Sequence, residues 1–159
     1  MEQFYRFLAK FYGWLYPVSH AKFINNLPEE SQARGAAFWN SLSPCETGLF
    51  IAFIVFGIVA AVIYFKPFNN RPGRHYRGRW WWVFAAIAFF GTLLASYVLC
   101  GALLKDARNL GQSMSFQHFL SWGNAFYAFV LYFVFSFIWW NWGKTNAYRF
   151  CYPKFLHKK

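Results

Sequence analysis

Three stretches of the chain, 47–65, 80–104 and 124–142, run without a formal charge, and the segments between them are dense in Arg, Lys, Gly and Pro. An α-helix rises ~1.5 Å per residue and a bilayer's hydrocarbon core is ~30 Å thick, so runs of this length are long enough to cross it. The pattern predicts an all-α integral membrane protein with three transmembrane helices at about 44–65, 80–104 and 124–142. The middle run, WWWVFAAIAFFGTLLASYVLCGALL, organises the rest. On a helical wheel Ala88, Gly91, Thr92, Ala95, Ser96 and Ala102 share less than half the circumference, and Phe89, Phe90, Leu93, Leu94 and Tyr97 take the other side. In lipid a face of small residues lets another helix backbone approach closely, and Thr and Ser hydroxyls on it can bond across the contact. Ala88, Gly91, Thr92, Ala95 and Ser96 are therefore the expected helix-packing residues of this span, and Gly57 and Ala61, spaced by four, those of the first.

Before the first span, Pro28-Glu29-Glu30 has the pattern of a helix first turn, which predicts a short surface helix over about 28–42. Ser43-Pro44-Cys45-Glu46 then has capping-box spacing with proline at the first helical position, so a new helix is expected to start there. Earlier still, Gln3, Arg6, Lys10 and Gly13 line one stripe of residues 2–16, and Phe4, Tyr5, Phe7, Leu8, Phe11, Tyr12 and Leu15 cover the rest. This is the periodicity of an amphipathic helix ended by Pro17, suited either to the headgroup region or to packing on the extramembrane side of the bundle. An alternative with four spans would force Arg6, Lys10, Pro17, His20 and Lys22 across the bilayer. Phe116, Phe119, Leu120 and Trp122 suggest a further short interfacial helix within 105–123. More than half of the third span is Phe, Tyr or Trp, and Trp139, Trp140 and Trp142 close it as an interfacial belt.

With 58% hydrophobic, 26% aromatic and 13% charged residues, the composition agrees with a membrane chain. The whole, 1–159, is expected to be one membrane domain: an extramembrane N-terminal region at 1–43, a three-helix bundle at 44–142 and a basic tail at 143–159. The net charge of +11 does not point to nucleic acid, because the cations cluster just outside the apolar runs. Five Lys and Arg lie in 66–79 and five in the tail, against four before the first span and two in 105–123. The positive-inside rule places the two five-charge segments together, so the N-terminus is expected outside and the C-terminus in the cytoplasm of a bacterial inner membrane or its equivalent. No cleavable signal is apparent, so entry through the first span itself is expected.

Candidate chemistry is sparse. Arg71, Arg74, Arg77 and Arg79 recur every two or three residues and match anionic lipid headgroups or a phosphate-bearing partner, as well as serving as the topology determinant. The acids are Glu2, Glu29, Glu30, Glu46 and Asp106, and the histidines, at 20, 75, 118 and 157, all fall outside the spans. No nucleophile–base, HExxH or P-loop spacing appears, and the loosest cluster is Glu46 with Asp106 and His118. Cys45, Cys100 and Cys151 have no CxxC spacing and supply neither an even disulfide framework nor a four-ligand zinc site. No enzyme activity and no cofactor are expected. The charge-free runs carry no Asp, Glu, Lys, Arg or His and no interrupting proline, which argues against a coupled transporter.

These readings predict a non-catalytic multi-pass subunit of an oligomeric inner-membrane assembly, with other membrane subunits or further copies of itself, and lipids, as partners. The alternative is a homo-oligomeric membrane pore or channel lined by Thr92 and Ser96, such as a holin-like or defence effector. The layout of three spans, N-terminus out and basic tail in, resembles one class of phage holins in topology and in no motif.

Overall fold

The computed structural model describes residues 2–69, 78–103, 110 and 113–142. The described elements are helical, with no strand among them: α1 (Glu2–Gly13), α2 (His20–Asn25), α3 (Glu29–Ile63) continued by a π-helical turn (Tyr64–Phe68), α4 (Arg79–Leu103) and α5 (Ser113–Trp142). Three of the helices are long and apolar enough to cross a membrane, within Glu29–Phe68, Arg79–Ala102 and Met114–Trp142. They form an up-down-up bundle. Phe56 of α3 lies over Gly91 of α4, Gly57 of α3 faces the Ala128 carbonyl of α5, and Trp81 of α4 meets Tyr132 and Trp140 of α5.

Two boundaries differ from the sequence expectation. The helix over 28–42 and the first span are one helix, α3, which runs through Pro44. A residue before proline is disfavoured in helix, so Ser43-Pro44 reads as a break. Here Phe38 and Leu42 before it and Cys45 and Leu49 after it are buried in one cluster with Phe23 and Phe116. Packing on both sides of the proline outweighs its lost hydrogen bond. Glu46 then does not close a capping box: it accepts a hydrogen bond from the Tyr16 hydroxyl. Likewise the short helix expected within 105–123 is the first turns of α5: Phe116 and Leu120 are fully buried in that same cluster, and from Ser113 to the span the one helix-breaking residue is Gly123. A side chain on Gly123 would collide with Leu15, so this glycine makes room for the segment after α1.

The core divides by depth. At one end, the cap end, α1, α2 and the starts of α3 and α5 enclose Leu8, Tyr12, Phe23, Phe38, Leu49, Cys100 and Phe116. At the other, the tryptophan end, Tyr64, Phe65, Trp81, Tyr132 and Trp140 pack around Ala60, Ala61, Ala85 and Ala88. Pro67 there offers no amide hydrogen to the preceding turn, and the helix widens until Asn69 donates both its backbone N–H, at 3.2 Å, and its side-chain amide, at 2.6 Å, to the Tyr64 carbonyl. Ile51, Val55, Val59 and Ile63 of α3, Ile87, Phe90, Leu94 and Val98 of α4, and Phe126, Val130, Phe133 and Ile138 of α5 form exposed apolar stripes on the outside.

Candidate functional site

A polar hub that joins four helices lies near the cap end, around Asn124. Its carboxamide oxygen accepts from the Tyr12 hydroxyl at 2.8 Å, and its NH2 donates to Ser96 Oγ at 2.8 Å and to the Leu49 carbonyl at 3.0 Å. One buried side chain thereby joins α1, α3, α4 and α5. Three of the four hydrogen-bonding positions of the amide are filled, which is what a polar group away from water requires. Burial pushes the Tyr12 hydroxyl above the ordinary tyrosine range, so it stays protonated and acts as the donor.

Around this hub α1 is held by aromatic contacts. Phe11 lies 4.4 Å from Tyr127 between ring centroids, and the Tyr127 hydroxyl donates to the Phe11 carbonyl at 3.0 Å while accepting from Trp14 Nε1 at 2.5 Å. Leu8 and Tyr12 are buried, whereas Phe4, Tyr5 and Phe7 remain exposed beside Arg6 and Lys10. Arg6 pairs with Glu2 at 2.6 Å on the open side of the helix. Between that side and α3 lies a cleft of about 770 Å³, lined by Arg6, His20, Trp39, Asn40, Ser43 and Glu46 among others. Glu46, 2% exposed, forms part of its wall, with Tyr16 as hydrogen-bond donor. One residue before it on α3, Cys45 faces Cys100 of α4 across 3.2 Å, both fully buried.

The expected packing residues fall as follows. Ala88, Thr92 and Ser96 are buried, and Thr92 donates to the Ala88 carbonyl at 2.7 Å. Gly91 and Ala95 lie at the edge of that stripe, half-buried, with Phe56 seated on Gly91 so closely that an added Cβ would come within 2.8 Å of its ring. Gly57 and Ala61 are buried on α3. Gly91 thus packs on Phe56 of α3, and Gly57 on Ala128 and Leu131 of α5. Arg71, Arg74 and Arg77 lie outside the described residues, as does Asp106; Arg79 lies over the Trp80 ring at 5.6 Å, and Lys66 over Trp139 at 6.0 Å, at the same end of the bundle. Within the expected Glu46, Asp106 and His118 group, His118 instead meets the Tyr97 hydroxyl at 2.5 Å.

Sequence reasoning missed Asn124, taking it as the first residue of a span, and did not pair Cys45 with Cys100. A signal existed for Asn124, since a carboxamide at the edge of an apolar run is costly in lipid without a partner. None existed for the cysteines, whose approach depends on the register of α3 against α4. No family model matches the chain, and neither a curated protein nor a solved structure is similar to it.

Proposed function

We propose that this chain is a non-catalytic, three-span subunit of an oligomeric inner-membrane assembly, in which the bundle is a packing scaffold and α1 lies along its outer interface. The observation that carries this reading is the partition of polarity. Thr92, Ser96, Tyr12 and Asn124 turn inward and satisfy one another or a carbonyl, while the outward stripes of the three long helices are apolar. Membrane helices are built this way, because lipid offers polar groups no partner. Thr92 and Ser96 spend their hydroxyls within the chain, which favours packing over the lining of a pore.

The orientation puts the cap end outside and the tryptophan end at the cytoplasmic face. Arg79 and Lys66 over tryptophan rings support this, since cations and Trp mark a headgroup level and positive charge marks the inner one. Arg79, with Arg71, Arg74 and Arg77, then contacts anionic headgroups. An open apolar crevice of about 370 Å³ between α4 and α5, with Ala85 and Ala86 between Trp82, Phe89, Phe126 and Phe129, offers a seat for a bulky apolar side chain of a neighbouring subunit. Native mass spectrometry from mild detergent tests the proposal: a complex with further copies or with other membrane proteins is expected, and a strictly monomeric, partner-free chain would overturn it.

A further inference from the structure

We propose that Cys45 and Cys100 are a redox pair that closes to an intramolecular disulfide, stapling α3 to α4 at the cap end. Their sulfurs lie 3.2 Å apart on two different helices. Three residues on from Cys45, a Cβ on Gly48 would sit 3.6 Å from the side chain of Leu99, the neighbour of Cys100, so α3 and α4 are packed against each other at this level. Ser121 of α5 stands beside Cys100 and completes the enclosure.

The compartment follows from the proposed orientation, on which this inference rests. With the cap end outside, the pair sits at the level of an oxidising space, where disulfides form and persist. The oxidant is a dithiol–disulfide oxidoreductase. A thiolate from one cysteine attacks the carrier's disulfide and displaces one carrier sulfur as thiolate, giving a mixed disulfide. The second cysteine, as thiolate, then attacks the sulfur of the first, forming the Cys45–Cys100 bond and releasing the carrier as a dithiol. Two electrons pass to the carrier, and the two protons lost by the cysteines end on its sulfurs. Because both sulfurs are fully buried in the finished bundle, the exchange takes place while the α3–α4 hairpin is still open. Once closed, the bond is shielded from soluble reductants.

Thiol counting on the full chain tests this. Cells are quenched in acid, and the denatured protein is alkylated with a mass-tagged maleimide with and without prior reduction. One reactive thiol without reductant, Cys151, is expected, rising to three after reduction, and Cys45→Ser or Cys100→Ser should each show two without reductant. Three reactive thiols in the unreduced wild type, or a linked peptide containing Cys151, would overturn the pairing. The side of the membrane is read separately, from labelling of Ser31→Cys in a Cys45→Ser, Cys100→Ser background by an impermeant maleimide. Three free thiols with Ser31→Cys labelled from outside would overturn the pair and leave the orientation standing. Three free thiols with Ser31→Cys reached only from the cytoplasm would overturn the orientation, and the disulfide with it.

Discussion

The Tyr12 hydroxyl donates to Asn124 across 112 residues of sequence, at 2.8 Å and out of contact with solvent. Through this one bond the N-terminal helix is tied to the polar hub that α3, α4 and α5 share, so the cap and the bundle are coupled. Asn124→Leu removes the hub and strands Tyr12. Leaving a buried partner unsatisfied costs ~1–3 kcal/mol, so the variant should unfold at lower temperature in detergent. Tyr12→Phe strands only the Asn124 carboxamide oxygen and leaves both bonds of its NH2 in place, whereas Asn124→Leu removes all three, so the loss in Tyr12→Phe should be smaller. Equal thermal stability of wild type and Asn124→Leu would show that the hub carries no stabilisation.

Docking of α1 rests on shape as well. Gly123→Leu places a side chain where Leu15 now lies, so α1 should separate from the bundle while α3, α4 and α5 stay packed. Hydrogen exchange resolved by segment checks this: residues 2–13 should lose protection in Gly123→Leu and keep it in Trp122→Leu, whose parent side chain is half exposed. Faster exchange throughout the chain would mean that α1 and the bundle do not separate as units.

Close helix contact is localised at two glycines. Gly57→Leu drives a side chain into the Ala128 carbonyl, which is backbone and cannot swing away, whereas Gly91→Leu meets the Phe56 ring, which can turn. Overpacking typically costs ~1–3 kcal/mol, and the order Gly57→Leu worse than Gly91→Leu is expected in thermal melts of the purified chain. Leu94→Phe, at a position 69% exposed on the opposite side of α4, should melt like the wild type. If all three variants melt alike, the inward faces are misassigned.

The three long helices were legible in the sequence because a charge-free apolar run of such length matches the thickness of a bilayer and exceeds what most soluble cores bury. Of the small stripe on 80–104, Ala88, Thr92 and Ser96 are buried, Gly91 and Ala95 half-buried and Ala102 exposed. Pro44 misled, since local preference marks a boundary there and only the packing of Phe38, Leu42, Cys45 and Leu49 in one cluster carries the helix through. Gly123 misled in the same way: its lack of a side chain serves Leu15, more than a hundred residues away, and does not break α5. The polar layer was least visible. Tyr12, Leu49, Ser96 and Asn124 are ordinary residues in four separate segments, and only helix register makes them neighbours.

Three long helices crossing a bilayer must leave the cap end and the tail on opposite faces. Impermeant maleimide applied to intact cells and to inverted vesicles measures this directly, using Ser31→Cys before the first span and the native Cys151 after the last, in a Cys45→Ser, Cys100→Ser background. The expected result is labelling of Ser31→Cys from the outside only and of Cys151 from the cytoplasmic side only. Labelling of both positions from the same side would mean an even number of crossings and would contradict the three-span arrangement.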